Sequence, residues 1–193
     1  TFDEITASSL VKMDMDGNVL SEGGKFNNAG FIIHSGVYKA RPDANCVLHT
    51  HTRAGAGVSL MKKGLRPISQ DHLHVLDDVV YHEYGVPATK EECDALGHSL
   101  GGGGSCVVLL NHGLLTLGET IHGAMMRLYM LERACELELI SRQLGEEPVV
   151  IDDFVQQKAK ERMRKVRPTE AYGLAEWKGL VRTAERNGFD WRR

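Results

Sequence analysis

The chain has 193 residues, 42% hydrophobic and 25% charged, with a formal net charge of −3. That is enough for one α/β domain with a real core. The charge balance argues against a nucleic-acid binder, which carries a basic face, and no apolar run approaches the roughly 20 residues of a membrane span. The cysteines Cys46, Cys93, Cys106 and Cys135 are widely spaced, with no CxxC pair. They read as free thiols in a cytoplasmic protein, with Cys46 and Cys106 as small core side chains. No signal peptide is visible. The abrupt start at "TFDEITASSL", without Met, leads us to expect further residues upstream.

In chain order, "LVKMDMDGNVL" alternates apolar and polar residues around Asp16-Gly17-Asn18, the pattern of a β-hairpin. "SEGGKFNN" reads as a loop, and "AGFIIHSGVYKA" as a helix ending before Pro42. "NCVLHTH" is a short buried strand, and "RAGAGVSLMKKG" a helix of small residues that stops at Gly64 and allows close packing. "VVYHEY" is a strand, and "TKEECDALGHSLG" a helix capped by Thr89, with Glu92 at the capping-box position. "SCVVLLNHGLLTLG" reads as two strands joined by a turn at Asn111-His112-Gly113. A long helix follows, with Ile121, Met125, Leu128, Leu131, Cys135 and Leu139 at helical spacing. Two further helices are expected near residues 153–165 and 170–187. Alternating strands and helices make an α/β layered domain without internal repeats. Gly101–Gly104 lacks the Lys-Ser/Thr of a phosphate loop and precedes a strand, so it is a connection. There is no GxSxG nucleophile elbow.

The histidines carry the chemistry. His49 and His51, at i and i+2 of a strand, point to one face. Two imidazoles there either fill space through satisfied hydrogen bonds or hold a divalent metal, which takes neutral imidazole nitrogens. His112 ends a second buried strand as His49 ends the first, so it is the local choice for a third ligand. Its other reading is a turn residue beside Gly113. His72 and His74 form a second HxH, which either adds ligands or lines the pocket, or else is the polar side of a helical or loop segment. His82 alternates with Tyr81 and Glu83 and faces either a site or solvent. His98 and His122 are expected to be exposed.

"RPDANCVLHTHTRAGAGVS" followed by "LLNHGLLTLGETIHGA" resembles the class II aldolase/adducin domain, over most of Leu10 to Leu144. The resemblance implies a single domain across 1–193, lacking some N-terminal residues. Its fold would be a three-layer α/β/α sandwich around a central, mainly antiparallel sheet. It also implies that His49, His51 and His112 hold a divalent metal, zinc first, with manganese, nickel or iron as alternatives. In family aldolases that metal polarises the substrate carbonyl and stabilises the enediolate left by carbon–carbon cleavage. A glutamate four residues before a helix histidine moves the proton. Here that histidine is His34, and the position four before it is Gly30. Glu22, the nearest upstream acid, lies in the loop. The segments "NNAGFIIHSGVYKARPD" and "GLRPISQDHLHVLDDVVYHEYG" resemble the adducin-like branch.

Two functions compete. One is a metal-dependent lyase acting on a small carbonyl, hydroxy-acid or sugar-derived substrate, in which His34, His72, His74 or His82 replaces the missing base. Decarboxylation or oxygenation on the same fold is its variant, because fold does not fix reaction. The other is a non-catalytic interaction domain like the adducin head. The resemblance further implies a homotetramer, and the chain offers no sign of a nucleic-acid or membrane partner.

Overall fold

The structure, a computed structural model, describes residues 4–22, 24–86 and 89–193. Gly23, in the expected loop, and Thr1–Asp3, at the abrupt start, lie outside them. The expected hairpin reduces to one isolated bridge, Met13 to Val19. Asp14 closes its turn by accepting from the Asp16 and Asn18 backbone N–H groups and from Asn18 Nδ2, at 3.0, 2.8 and 2.8 Å. The flanking Leu10 and Leu20 stay exposed. Alternation without a surface to bury against does not make a strand pair.

From there the chain forms α1 (Asn28–Ala40), β1 (Cys46–Thr50), α2 (Arg53–Ser59), α3 (Gln70–Leu73), β2 (Val79–His82), α4 (Lys90–Gly101), β3 (Cys106–Leu109), β4 (Gly113–Gly118), α5 (Ile121–Gln143), α6 (Asp153–Val166) and α7 (Leu174–Arg186). Side-chain oxygens cap most helix starts, as backbone N–H groups left over in the first turn require. Asn27 caps α1, Ser69 α3, Thr89 α4, Thr120 α5 and Asp152 α6. The helix expected to run to Gly64 stops at Ser59, where Ser59 Oγ bonds the Ala56 carbonyl at 2.7 Å.

The sheet order is β1-β4-β3-β2. β1–β4 and β4–β3 are antiparallel, but β3–β2 is parallel. The sheet is therefore mixed, and the expectation of a mainly antiparallel sheet is corrected. The cause is α4. A tight turn reverses the chain between β3 and β4, whereas the helix between β2 and β3 carries it back to the same end of the sheet, so the two strands run parallel.

Period-two alternation divides the interior. Val47, Val107, Leu109, Leu115 and Leu117 pack with Ile33 and Val37 of α1 and Leu96 and Leu100 of α4. Cys106, Val108 and Leu114 pack on the other face with Ala54 and Val58 of α2 and Leu131, Ala134 and Cys135 of α5. Helices on both faces explain why every residue of β3 and β4 is buried. All four cysteines are free. The small residues of α2 do let it close on the sheet. A Cβ on Gly55 would lie 2.5 Å from Leu114 Cγ and 2.7 Å from Thr52 Oγ1. Gly55→Ala is expected to destabilise by about 1–3 kcal/mol through overpacking. Urea unfolding checks this, and an unchanged midpoint would count against the packing described.

Beside the apolar core sits a charged one. Glu138 of α5 has no solvent exposure. It accepts from Arg66 Nε at 2.9 Å, the Arg66 backbone N–H at 3.2 Å and Arg142 Nε at 2.8 Å. The fully buried His72 places Nε2 3.5 Å from Glu138 Oε2. Arg167, just past α6, donates to the His74 carbonyl at 2.8 Å and to Asp77 at 2.5 Å, which fastens α6 to α3.

Candidate metal centre

β1 and the β3–β4 turn meet at one edge of the sheet. His49 pairs with Leu115 in the β1–β4 ladder, and Leu109 pairs with Gly113 across the turn. Asn111 makes that turn at φ +58°, a left-handed conformation that Asn tolerates better than most residues. The His112 backbone N–H donates back to the Leu109 carbonyl at 3.1 Å, which holds His112 at the tip beside β1. His51 lies one residue beyond the end of β1.

The three imidazoles converge. Ring centroids are 4.7 Å apart for His49 and His51, 4.8 Å for His49 and His112, and 4.6 Å for His51 and His112. One ring nitrogen from each lies within 4.8 Å of the others. His49 Nδ1 donates to the Leu114 carbonyl at 2.8 Å, which leaves Nε2 as the lone-pair nitrogen, 2.8 Å from His51 Nε2. Fixing a ligand's tautomer through its second nitrogen is a common device of metal sites. Burial holds the His49 and His112 imidazoles below their usual pKa, and for His112 the charges of His49 and His51 add to it. Neutral imidazoles are what a cation requires. On donor type, tautomer and spread, the residues fit one divalent ion.

Neighbours brace the triad. Thr52 Oγ1, next to His51, donates to Glu132 of α5 at 2.5 Å. Gly113 lies against β1, where a Cβ would run into the Thr50 carbonyl and come within 3.2 Å of His51 Cδ2. Gly113→Ala should therefore push His51 and His112 apart. We expect metal affinity to fall about 10–100-fold, the scale of losing an outer-shell support. Competition against a zinc-binding dye measures it, and wild-type affinity would show that the turn does not set the triad.

The candidate base positions separate. His34 lies on α1, half-buried; burial first, and then the charge of His49, keep its pKa down. Gly30, one turn earlier on the same helix face, would admit a Cβ without a clash, in ordinary contact with the Asn27 side chain at 3.9 Å. His82 is 4% exposed, with Nδ1 2.9 Å from Ser99 Oγ and Nε2 3.2 Å from Glu92 Oε1. Both its nitrogens are engaged within the protein. His74 lines a separate cavity with Tyr172 and with Met163 and other residues of α6 and α7, and its charged neighbours are Asp71, Arg167 and Arg162. His72 is buried against Glu138. His98 is exposed, and His122 bonds the Glu170 carbonyl at 2.7 Å.

Two residues near the triad were not singled out from sequence. Tyr84, 56% exposed, sets its ring centroid 6.4 Å from that of His112. Glu92 is within electrostatic reach of His112. Its backbone N–H does bond the Thr89 cap at 3.2 Å, but its carboxylate turns to His82. The capping pattern accounted for this glutamate locally and so concealed its tertiary role.

A three-layer α/β domain with a histidine triad at one sheet edge defines a class II aldolase-like fold. The chain belongs to the class II aldolase and adducin N-terminal domain family, whose model matches residues 1–139. It is 40% identical over 195 aligned residues to a Pseudomonas aeruginosa protein named for aldolase class 2, covering 99% of this chain and 75% of that one. It is 42% identical over 167 residues to mouse alpha-adducin, covering 83% of this chain but 23% of the adducin. The crystal structure of an aldolase II superfamily protein from Pseudomonas syringae superposes with a TM-score of 0.92 at 40% identity, over 100% of this chain and 77% of that one. An L-fuculose 1-phosphate aldolase from Glaciozyma antarctica gives 0.80 at 27% identity, over 98% and 73%. Among the described residues, no helix is long and apolar enough to cross a membrane.

Proposed function

We propose that this chain is a metal-dependent carbon–carbon lyase acting on a small hydroxy-carbonyl or sugar-derived substrate. The observation that carries the reading is the convergence of His49, His51 and His112, with the His49 tautomer set by the Leu114 carbonyl. A divalent metal held there, zinc first by its preference for nitrogen donors, supplies Lewis acidity to a substrate carbonyl. The chain's own residues do the rest. The half-exposed Tyr84 ring forms a wall against which a small substrate packs. Gly30 presents no side chain beside His34, which keeps that wall of the site small. The same reading takes residues 1–193 as one domain of a cytoplasmic homotetramer. The exposed apolar residues Ile140, Leu144, Val149, Val150 and Phe154, running from α5 into α6, are candidate subunit contacts.

The adducin-head reading, a non-catalytic interaction domain, is favoured by the absent carboxylate at Gly30 and by the likeness to alpha-adducin. Elemental analysis of protein purified without added metal, followed by retro-aldol assays on hydroxy-aldehydes, keto acids and sugar phosphates, separates the two. The lyase reading expects substantial occupancy and turnover of at least one substrate. A protein that binds zinc but cleaves none of them favours the interaction domain. One that also fails to take up zinc on titration overturns the metal site.

A further inference from the structure

Resting on the lyase reading, we propose that Glu92 is the catalytic base of this pocket, supplying from α4 the carboxylate that α1 lacks at Gly30. Four observations place it. The Leu110 backbone N–H donates to the His82 carbonyl at 2.8 Å, so the end of β2 abuts the turn that carries His112. Two residues beyond β2, the Tyr84 ring stands edge-on to that of His112, 6.4 Å between centroids. Glu92 Oε2 lies against Gly85, next to Tyr84, where a Cβ would collide with the carboxylate. Glu92 Oε1 takes a bond from His82 Nε2 at 3.2 Å, and His82 Nδ1 is turned toward Ser99 Oγ at 2.9 Å.

This arrangement settles the histidine's part. With its Nδ1 accepting from the Ser99 hydroxyl, His82 carries its proton on Nε2 and gives it to Glu92 Oε1 as a hydrogen bond. His82 is thus a positioning residue, and the second carboxylate oxygen remains to take a proton. At 14% exposure the Glu92 side chain is shielded yet reachable. A base must lie within hydrogen-bond reach of the proton it takes, directly or through one water. In the step, a substrate C–H bond next to the carbonyl breaks and its proton forms an O–H bond on Glu92. The electron pair closes a carbon–carbon double bond, and the negative charge goes to the former carbonyl oxygen. The reverse step returns the proton, or a solvent deuteron exchanged for it.

The test uses zinc-loaded full chain, wild type and Glu92→Gln, with metal content checked in each. Exchange of the α-protons of hydroxyacetone and dihydroxyacetone phosphate with D2O is followed by NMR. In parallel, calorimetry in two buffers of different ionisation heat counts protons released when glycolohydroxamic acid binds. This acid mimics the planar deprotonated ketone. We expect Glu92→Gln to keep its zinc and lose exchange by about 10²–10⁴-fold. Wild type should keep the hydroxamic proton on the protein, while Glu92→Gln releases it to buffer. Glu92→Asp, which keeps the carboxylate, should restore proton capture with slower exchange, and serves also if the amide variant folds poorly. Unchanged exchange and proton count in zinc-loaded Glu92→Gln overturn the proposal and leave the lyase reading standing. So does loss of proton capture in His34→Asn but not in Glu92→Gln. Glu92-dependent capture without exchange of either ketone leaves Glu92 as a proton acceptor of the pocket but overturns its role as catalytic base, and counts against the lyase reading for these ketones. No binding and no exchange in wild type sinks both.

Discussion

Replacing His112 with Ala should abolish metal retention. Zinc content is expected to drop from about one ion per chain to near zero, and affinity by more than the roughly 100-fold that loss of an outer-shell partner alone can cost. His49 and His51 cannot complete the set, because a strand pair offers two nitrogens and the third must come from the β3–β4 turn. His112 sits at a half-exposed turn tip whose backbone is held by bonds that do not involve its ring, so the fold should survive. His49→Ala should bind as poorly and also free the Leu114 carbonyl. Dialysis followed by elemental analysis, with circular dichroism to confirm folding, decides it. A His112→Ala protein that stays folded and retains stoichiometric zinc would falsify the assignment of this ligand.

The largest effect on stability is expected at Glu138. Removing one partner of a buried ion pair leaves the other's charge uncompensated, at about 3–5 kcal/mol. Here the stranded charges, Arg66 and Arg142, are partly exposed at 24% and 35%. Solvent therefore returns part of the loss, and Glu138→Ala should cost about 3 kcal/mol. For a chain of this size that lowers the melting temperature by about 6–12 °C. His72, packed against the same carboxylate, adds a pH dependence. Burial lowers its pKa from the ordinary 6.5. The unfolded chain then binds the proton first, so stability falls as pH drops through and below about 6.5. Urea unfolding at pH 7.5 and 5.5 should show a smaller loss for His72→Gln than for wild type. A Glu138→Ala midpoint within error of wild type would mean that α3 and α5 are not joined through this carboxylate.

How much of this was legible in sequence depends on the range of the interaction. β1, the β3–β4 turn and the long α5 were readable because their signals are local: an apolar run, an Asn-His-Gly turn, an apolar stripe at helical spacing. The helix cap at Thr89 and the small-residue helix α2 were readable for the same reason. The two histidines of β1 announced a shared face, since alternation along a strand is a covalent fact. The end of a second buried strand offered His112 as the third donor, and motif resemblance extended the reading to the family. The hairpin expected around Asp16 failed, because whether alternating residues become strands depends on a surface to cover them. The mixed sheet was also out of reach. The direction of β2 relative to β3 follows from which way α4 returns the chain, and local spacing does not encode that.

The site divides along the same line. By itself the sequence determined which donors exist, that two of them share a strand face, and that Gly30 bears no carboxylate. Only the tertiary structure decided that His112 closes on that pair, that Leu114 sets the His49 tautomer, and that His82 spends both nitrogens inside the protein. It also decided that His74 belongs to a cavity by α6, and that Glu92, accounted for locally as a capping residue, turns its carboxylate to His82. The physical reason is that backbone geometry fixes neighbours within a turn or a strand. Contacts between side chains far apart in the chain exist only once burial of both sheet faces has brought their elements together.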